Sequence, residues 1–274
     1  MSLFLCPLCG GKLNEDERGM RCEKGHCFDR AREGYVHLLP ANQKNSRTPG
    51  DDKGMVNARR AFLDRGWYEP LRQALCGLAA ELTGNAPTVL DAGCGEGYYT
   101  AGVHAALQAA GKRPRTAGID ISKFSVQKAA KRSRDIEFAV GSVYRLPVAT
   151  ESVDLLLNVF SPLAIDEFRR VLKKGGYYVY VVPAAMHLWE MKEVLYKKPY
   201  PNEEKETPYE GFCYERIAPV EYTVHLPGQE DIQALFGMTP YAWKTPRAGK
   251  EALAALSELK TTIAFRIHVF KKES

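Results

Sequence analysis

Apolar positions along this chain follow two periods, and each change of period marks an element. Val89-Leu90 is a short apolar run suited to a buried strand, and the Ala-rich stretch 98–110 after it has helical spacing. Thr116–Ile121, Ile136–Val140, Ser152–Phe160 and Tyr177–Val182 read as further strands. Between them, Ser122–Arg132 reads as a helix with Ser122 as N-cap, and Phe168–Gly176 as a basic helix closed by a glycine stop. Strand alternating with helix predicts right-handed crossovers, hence an α/β fold with a mostly parallel sheet. Upstream, Met55–Leu63 and Pro70–Leu82 repeat at helical spacing around Gly66-Trp67-Tyr68. Downstream, 197–212 reads as a loop, Pro219–Leu226 as a strand, and Gln229–Trp243 as a helix broken near Pro240. The alternating segment Thr261–Phe270 reads as an antiparallel edge strand.

The chemistry concentrates where the first strand of this pattern ends. Asp91 closes the strand, Gly93, Gly95 and Gly97 follow as a tight turn, and a helix begins at Tyr98. Glycines let backbone approach a ligand closely, and open α/β sheets bind ligands at the carboxyl ends of their strands. Asp120, 23 residues beyond Gly97, ends the next strand at a spacing that suits a carboxylate on ribose hydroxyls. The string Asp-x-Gly-x-Gly-x-Gly resembles motif I of the class I S-adenosylmethionine (SAM) methyltransferases, rather than the dehydrogenase pattern that makes room for a pyrophosphate. That resemblance implies a Rossmann-like fold. Gly141-Ser142 ends the third strand where such enzymes often carry an acid against adenine, so here the contact falls to backbone or the Ser142 hydroxyl. Asn158-Val-Phe-Ser-Pro162 ends the fourth strand, where methyl acceptors react in this fold. His187 follows the fifth strand as a candidate general base, cofactor contact or plain surface histidine.

A second motif precedes this core. Cys6-Pro-Leu-Cys9 is followed, thirteen residues beyond Cys9, by Cys22-Glu-Lys-Gly-His26-Cys27. Two Cys-rich knuckles around a short hairpin form a tetrahedral zinc site, with Cys6, Cys9 and Cys22 as ligands and either His26 or Cys27 as the fourth. So small a segment buries too little apolar surface to fold alone, and a metal supplies the difference. Phe28–Pro40 reads as a strand or turn leaving the module. Its Arg30, Arg32 and Tyr35 suit RNA stacking and phosphate contact, or equally a solvated surface. The polar run 41–54, with Lys44 and Arg47, reads as a linker. The organisation expected is a zinc-binding module over 1–40, linker and helices over 41–84, and a SAM-dependent methyltransferase domain over 85–274.

Composition constrains little beyond this. With 45% hydrophobic and 26% charged residues the chain is ordinary for a globular protein. A net charge of +5 is compatible with nucleic acid without demanding it. No run approaches the roughly 20 apolar residues of a membrane span, and no signal-like segment opens the chain, so a cytoplasmic location is expected. There, seven cysteines are metal ligands or free thiols rather than disulfides.

Taken in order, these pieces resemble the bacterial 23S ribosomal RNA (guanine-N1)-methyltransferases. The resemblance rests on the N-terminal ribbon, Glu33–Pro40, Ala58–Leu71, Leu90–Tyr99, the His187 segment and Met238–Trp243. It implies SAM and zinc as cofactors, and zinc on Cys6, Cys9, Cys22 and His26. It also implies cofactor contacts from Tyr68, the Gly95-Glu96-Gly97 turn and His187. Asp91, Gly93, Asp120 and Ser142 complete the expected cofactor site, with Asn158, Ser161 and His187 as candidates for catalysis. The family acts on one of two nearby guanines in a 23S rRNA hairpin loop, forms homodimers, and affects macrolide sensitivity. Two rivals stand beside it: a small-molecule methyltransferase with a decorative zinc module, and a silent RNA-binding protein.

Overall fold

The computed structural model describes residues 2–16, 19–40 and 49–273. Three short antiparallel strands form the N-terminal ribbon: β1 (Leu13–Asp16), β2 (Gly19–Cys22) and β3 (Cys27–Asp29). The chain then gives β4 (Val36–His37), α1 (Lys53–Asp64) and α2 (Glu69–Leu82). The core unit follows as β5 (Thr88–Ala92), α3 (Tyr98–Ala109), β6 (Arg115–Asp120), α4 (Lys123–Arg132) and β7 (Glu137–Val140). Next come β8 (Val153–Val159), α5 (Ile165–Val171), β9 (Leu172–Pro183) and α6 (Trp189–Leu195). The last part is β10 (Phe212–Leu226), α7 (Gln229–Gly237), α8 (Tyr241–Lys244), α9 (Arg247–Ala254) and β11 (Leu259–Lys272).

Eight strands form one sheet in the order β10-β11-β9-β8-β5-β6-β7-β4. The six from β9 to β4 run parallel, and β10 and β11 are antiparallel. From β5 the chain moves outward through β6 and β7, then returns to β8 on the other side. The reversal falls between β5 and β8, the place where such sheets open a crevice for ligands. Val89, Leu155, Leu157, Val179, Val181 and Phe265 bury one face against the helices, and Leu90, Leu156, Tyr178 and Phe270 bury the other. Because both faces are covered, the middle of the central strands is apolar, as in Val89-Leu90 and Leu155-Leu156-Leu157, and charged residues fall toward the strand ends.

The ribbon is sewn into this sheet. Val36 and His37 pair in parallel with Ala139 and Val140, and Leu38 N donates to Val140 O at 2.8 Å. At the chain start, Leu5 N donates to Pro147 O at 2.7 Å, and the Ser2 hydroxyl donates to Glu137. Leu3, Phe4, Leu13 and Met20 share one apolar cluster with Leu90 and Leu156 of the sheet.

Several sequence expectations need correction. The final strand is not at the edge: β11 lies between β9 and β10, with Ile263, Ala264, Phe265 and Ile267 all buried. The edge is β10, which starts seven residues before the expected Pro219, at Phe212, and pairs along the length of β11. Pro219 is tolerated there because an edge strand has one side with no ladder partner. The helix expected to run to Gly176 ends at Val171. Leu172 leaves it to pair with Val153, and Gly175 takes a φ of +73° that a helix does not accommodate. Tyr35, offered for RNA stacking, is buried beside Val126 and Phe138, and so cannot meet a base. Lys44 and Arg47 lie outside the described residues.

Candidate active site and metal centre

The ribbon brings the Sγ atoms of Cys6, Cys9 and Cys22 and a ring nitrogen of His26 within 4.8 Å of one another. Cys6 Sγ and Cys22 Sγ lie 3.4 and 3.3 Å from His26 Nδ1, and Cys9 Sγ lies 3.7 Å from Cys22 Sγ. Ligands at zinc bond lengths of about 2.0–2.3 Å in a tetrahedron stand about 3.4–3.8 Å apart, so the four atoms already have the spacing of a zinc shell. Cys27 is exposed and turned toward Gly25 O, away from the cluster. Between the two fourth ligands that spacing left open, the geometry favours His26.

The glycine turn lies at the carboxyl end of β5, beside the sheet's reversal. Gly95 has φ +54°, and a Cβ added there would meet nothing nearer than Arg59 Nη1 at 4.0 Å. The turn therefore faces open space on the side where a ligand would lie. Gly93 differs: a Cβ there would fall 2.2 Å from Ser161 Cβ, so its bareness admits the β8 loop. Asp91 is buried, and its Oδ2 accepts from the Thr100 hydroxyl at 2.6 Å while Oδ1 has no partner among the described residues. Burial pushes its carboxyl up to about 7, the Thr100 bond holds it down, and the nearby Asp120 charge adds to the rise. An enclosed carboxylate oxygen with nothing to accept is what a cationic ligand would satisfy, and SAM carries two positive centres.

Asp120 is fixed by two backbone donors: Gly95 N to Oδ2 at 3.0 Å and Ser122 N to Oδ1 at 2.8 Å. Each oxygen keeps a lone pair for a hydroxyl. Burial nonetheless raises its carboxyl above the ordinary range. Gly141 N donates to Asp120 O, which brings Ser142 alongside, and the Ser142 hydroxyl accepts from Tyr144 N at 3.3 Å. Glu96 turns behind the loop to an ion pair with Arg132, so this residue offers a ligand its backbone rather than its carboxylate. The glycine cradle, the orphaned Asp91 oxygen and the paired Asp120–Ser142 edge together fit SAM.

Tyr68 and His187, 119 residues apart, are brought together: the Tyr68 hydroxyl lies 3.4 Å from His187 Nε2. His187 Nδ1 accepts from Ala264 N at 3.2 Å, and its ring packs on Phe265 with centroids 4.5 Å apart. Burial, helped by the Lys192 charge, pushes the imidazole down to about 3. With Nδ1 accepting, the ring proton sits on Nε2 and the group is neutral at physiological pH. His187 is thereby a poor general base, because protonating Nδ1 would break the Ala264 bond inside an apolar pocket.

Asn158 is fully buried. Its Nδ2 donates to Ser161 Oγ at 2.8 Å and Pro162 O at 3.0 Å, and lies 3.4 Å from Ala92 O. The Ser161 hydroxyl donates to Ala92 O at 2.5 Å. These two candidates therefore tie the end of β8 to the end of β5; the Asn158 amide is not basic near neutral pH, and the Ser161 hydroxyl proton is committed to Ala92 O. Sequence reasoning missed Arg59. It reaches over the turn from α1 and forms an ion pair with Asp51, whose carbonyl accepts from the Ser122 hydroxyl. Its only sequence signal is membership of the Ala58–Leu71 segment.

The ribbon, residues 4–47, matches the profile of the RlmA N-terminal zinc ribbon, and residues 84–218 match a methyltransferase-domain profile. YxjB of Bacillus subtilis (strain 168), provisionally named a 23S rRNA (guanine-N(1)-)-methyltransferase, is 33% identical over 270 residues, 95% of this chain and 93% of that protein. The chain belongs to the 23S rRNA (guanine-N1)-methyltransferase family. A second family member, the 23S rRNA (guanine(748)-N(1))-methyltransferase of Streptomyces fradiae, is 38% identical over 193 residues, 69% of this chain and 66% of that one. The fold itself recurs in the crystal structure of the YcgJ protein from Bacillus subtilis, at a TM-score of 0.52 and 17% identity over 74% of this chain and 99% of that one. SAM and zinc are thus the cofactors of this methyltransferase. Among the described residues no helix is long and apolar enough to cross a membrane.

Proposed function

We propose that the chain transfers the methyl group of SAM to N1 of one guanine in a 23S rRNA hairpin loop. The observation that carries this is the match to YxjB over 95% of the chain, ribbon and catalytic sheet together. A methyltransferase profile alone fits many substrates, whereas the match to YxjB, named for this RNA, runs across the ribbon segment and the sheet of this chain together. When bound, SAM supplies a methyl group already activated on a sulfonium. The chain's task is then alignment. Gly93, Gly95 and the backbone of Glu96 and Gly97 would cradle the cofactor. Asp91 would face its positive charge, Asp120 its ribose and Ser142 its base, while Tyr68 and His187 form a dry aromatic wall beside it. Asn158 and Ser161 hold the β8 loop against the glycine turn and so fix the distance between acceptor and donor.

Neutral guanine carries a proton on N1, and N1 lies on the Watson–Crick edge. The base must therefore be unpaired and must lose that proton as it is methylated. The neutral His187 leaves proton removal to a group outside the aromatic wall. A homodimer, implied by the family resemblance, belongs to the same proposal and is tested by sedimentation of the zinc-loaded chain. So does an effect on macrolide sensitivity, tested by growth with and without the gene.

The deciding experiment is transfer from labelled SAM to 23S rRNA that lacks its own modifications, mapped by reverse-transcription arrest. A single arrest site in a hairpin loop is expected, because N1-methylguanine cannot pair. Methylation of small molecules in place of RNA, undiminished by removing the ribbon, would refute the reading.

A further inference from the structure

Phe160 is the first residue beyond β8, and it is unusual in two respects. Its backbone has φ +55°, in the left-handed region that a bulky L-residue seldom adopts. The residue is 46% exposed, although its neighbours Val159 and Phe265 are buried. Burial does not explain the backbone, since the residue stays exposed.

The surroundings hold this conformation in place. Phe160 N donates to Val181 O at 3.4 Å on one side. On the other, the Asn158 amide binds Ser161 Oγ and Pro162 O, and the Ser161 hydroxyl binds Ala92 O at the head of the glycine turn. The result is a short loop pinned at both ends, with the Phe160 ring at its tip. The ring rests against Phe265, centroids 5.1 Å apart at 47°, and meets Tyr99 at 6.4 Å and 70°. One side of it is thus braced by aromatic rings while the rest stays open. The residue after it touches Gly93 of the cofactor turn, so the open ring stands at the rim of the cleft where acceptor and donor must meet.

Backbone held in an unfavourable region by its surroundings points to a working part of a site. The chemistry that suits an exposed, braced, flat aromatic ring is a flat π-system. A guanine extruded from its loop loses the stacking of its neighbours, and an aromatic side chain replaces it. Stacking on one face also fixes the plane of the base, which turns the Watson–Crick edge in one direction only. We propose that Phe160 is the stacking platform of the target guanine, holding the base in plane so that N1 faces the cofactor cleft. This rests on the functional reading above and goes beyond it by naming a residue that touches the substrate.

The test uses the full-length, zinc-loaded chain with unmodified 23S rRNA and labelled SAM. Phe160→Ala should lower kcat/KM for RNA by about ten- to a hundredfold, the worth of one base stack. SAM affinity by calorimetry should change less than about twofold, since the ring lies outside the cradle. Phe160→Trp, which keeps a π-face, should recover most of the activity, and Phe160→Leu, which keeps apolar bulk without one, should not. A spectroscopic arm places 2-aminopurine at the mapped target position of the hairpin. Its fluorescence should stay quenched on binding the wild-type chain and brighten on binding Phe160→Ala. Wild-type N1 methylation with Phe160→Ala or Phe160→Leu equally active would overturn the stacking role alone. A wild-type chain that leaves guanine N1 unmethylated would overturn the functional reading, and the proposal with it.

Discussion

Asp91 makes the affinity for SAM a function of pH. The carboxyl is raised to about 7 in the free chain, with Oδ1 enclosed and unpartnered. If a positive centre of the cofactor meets that oxygen, binding requires the ionised form. The competent fraction then scales the affinity by 1 + 10^(pKa − pH), about elevenfold weaker at pH 6 and about 1.1-fold at pH 8. The dissociation constant should therefore fall about tenfold over those two pH units, or about 1.4 kcal/mol. Titration calorimetry in buffers of different ionisation heat measures this directly, because near pH 6 binding should release nearly one proton per site. Asp91→Asn should abolish the slope and weaken binding at every pH by about 10- to 100-fold, the loss of one charge-assisted bond. Thr100→Val removes the hydroxyl that holds the carboxyl down, so the midpoint of the slope should move upward. The sign for stability is the opposite of that for binding. The folded, cofactor-free chain keeps this proton to about pH 7 and the unfolded chain gives it up near 3.8, so Asp91 costs stability as pH rises between them. A dissociation constant flat from pH 6 to 8, with no proton release, would refute the role given to Asp91.

Other outcomes follow from the same geometry. Gly95→Val should eliminate SAM binding in calorimetry and cost about 1–3 kcal/mol of stability, because φ +54° strains a β-branched residue even where its side chain enters open space; retained affinity would move the cofactor away from this turn. Elemental analysis should find one zinc per chain, kept by Cys27→Ala and lost by Cys22→Ala; loss in Cys27→Ala would reassign the fourth ligand. His187→Ala should destabilise the fold by about 1–3 kcal/mol by stranding the Ala264 N–H, measured by urea unfolding. It should also leave the pH dependence of methyl transfer unmoved between 6 and 8, whereas a shifted profile would restore His187 as a base.

What the sequence disclosed follows from how local each signal is. The glycine turn, Asp120 and the Cys-x-x-Cys knuckles are short-range patterns, and the structure sets the turn at the end of β5, Asp120 at the end of β6 and the four ligand atoms together. The resemblance implied Tyr68 and His187 separately as cofactor contacts, but their meeting was not legible, since no local pattern links positions 119 apart. The order β10-β11-β9 was misread because an alternating strand looks alike at an edge and one place inside it. β4, two residues long, is too short to show any period. The left-handed backbone of Phe160 has no signature at all: sequence marks such positions through glycine or asparagine, and here surrounding hydrogen bonds impose it. Arg59 reached the turn by the placement of α1, a tertiary outcome that spacing along the chain does not encode.

The parallel bridge of Val36 and His37 to β7 gives the zinc atom a mechanical reach beyond its own knuckles. β7 leads directly into Ser142, and Leu38 hangs from the last carbonyl of that strand. A ribbon on a tether would let RNA binding and methyl donation drift independently. Here the ribbon works instead as a fixed jig, setting its angle to the cleft through β7, the neighbour of edge strand β4. Stripping the metal would accordingly do more than loosen an appendage. It should loosen β7 and with it Ser142 at that strand's end, which SAM titrations of the zinc-loaded and zinc-stripped chain would register.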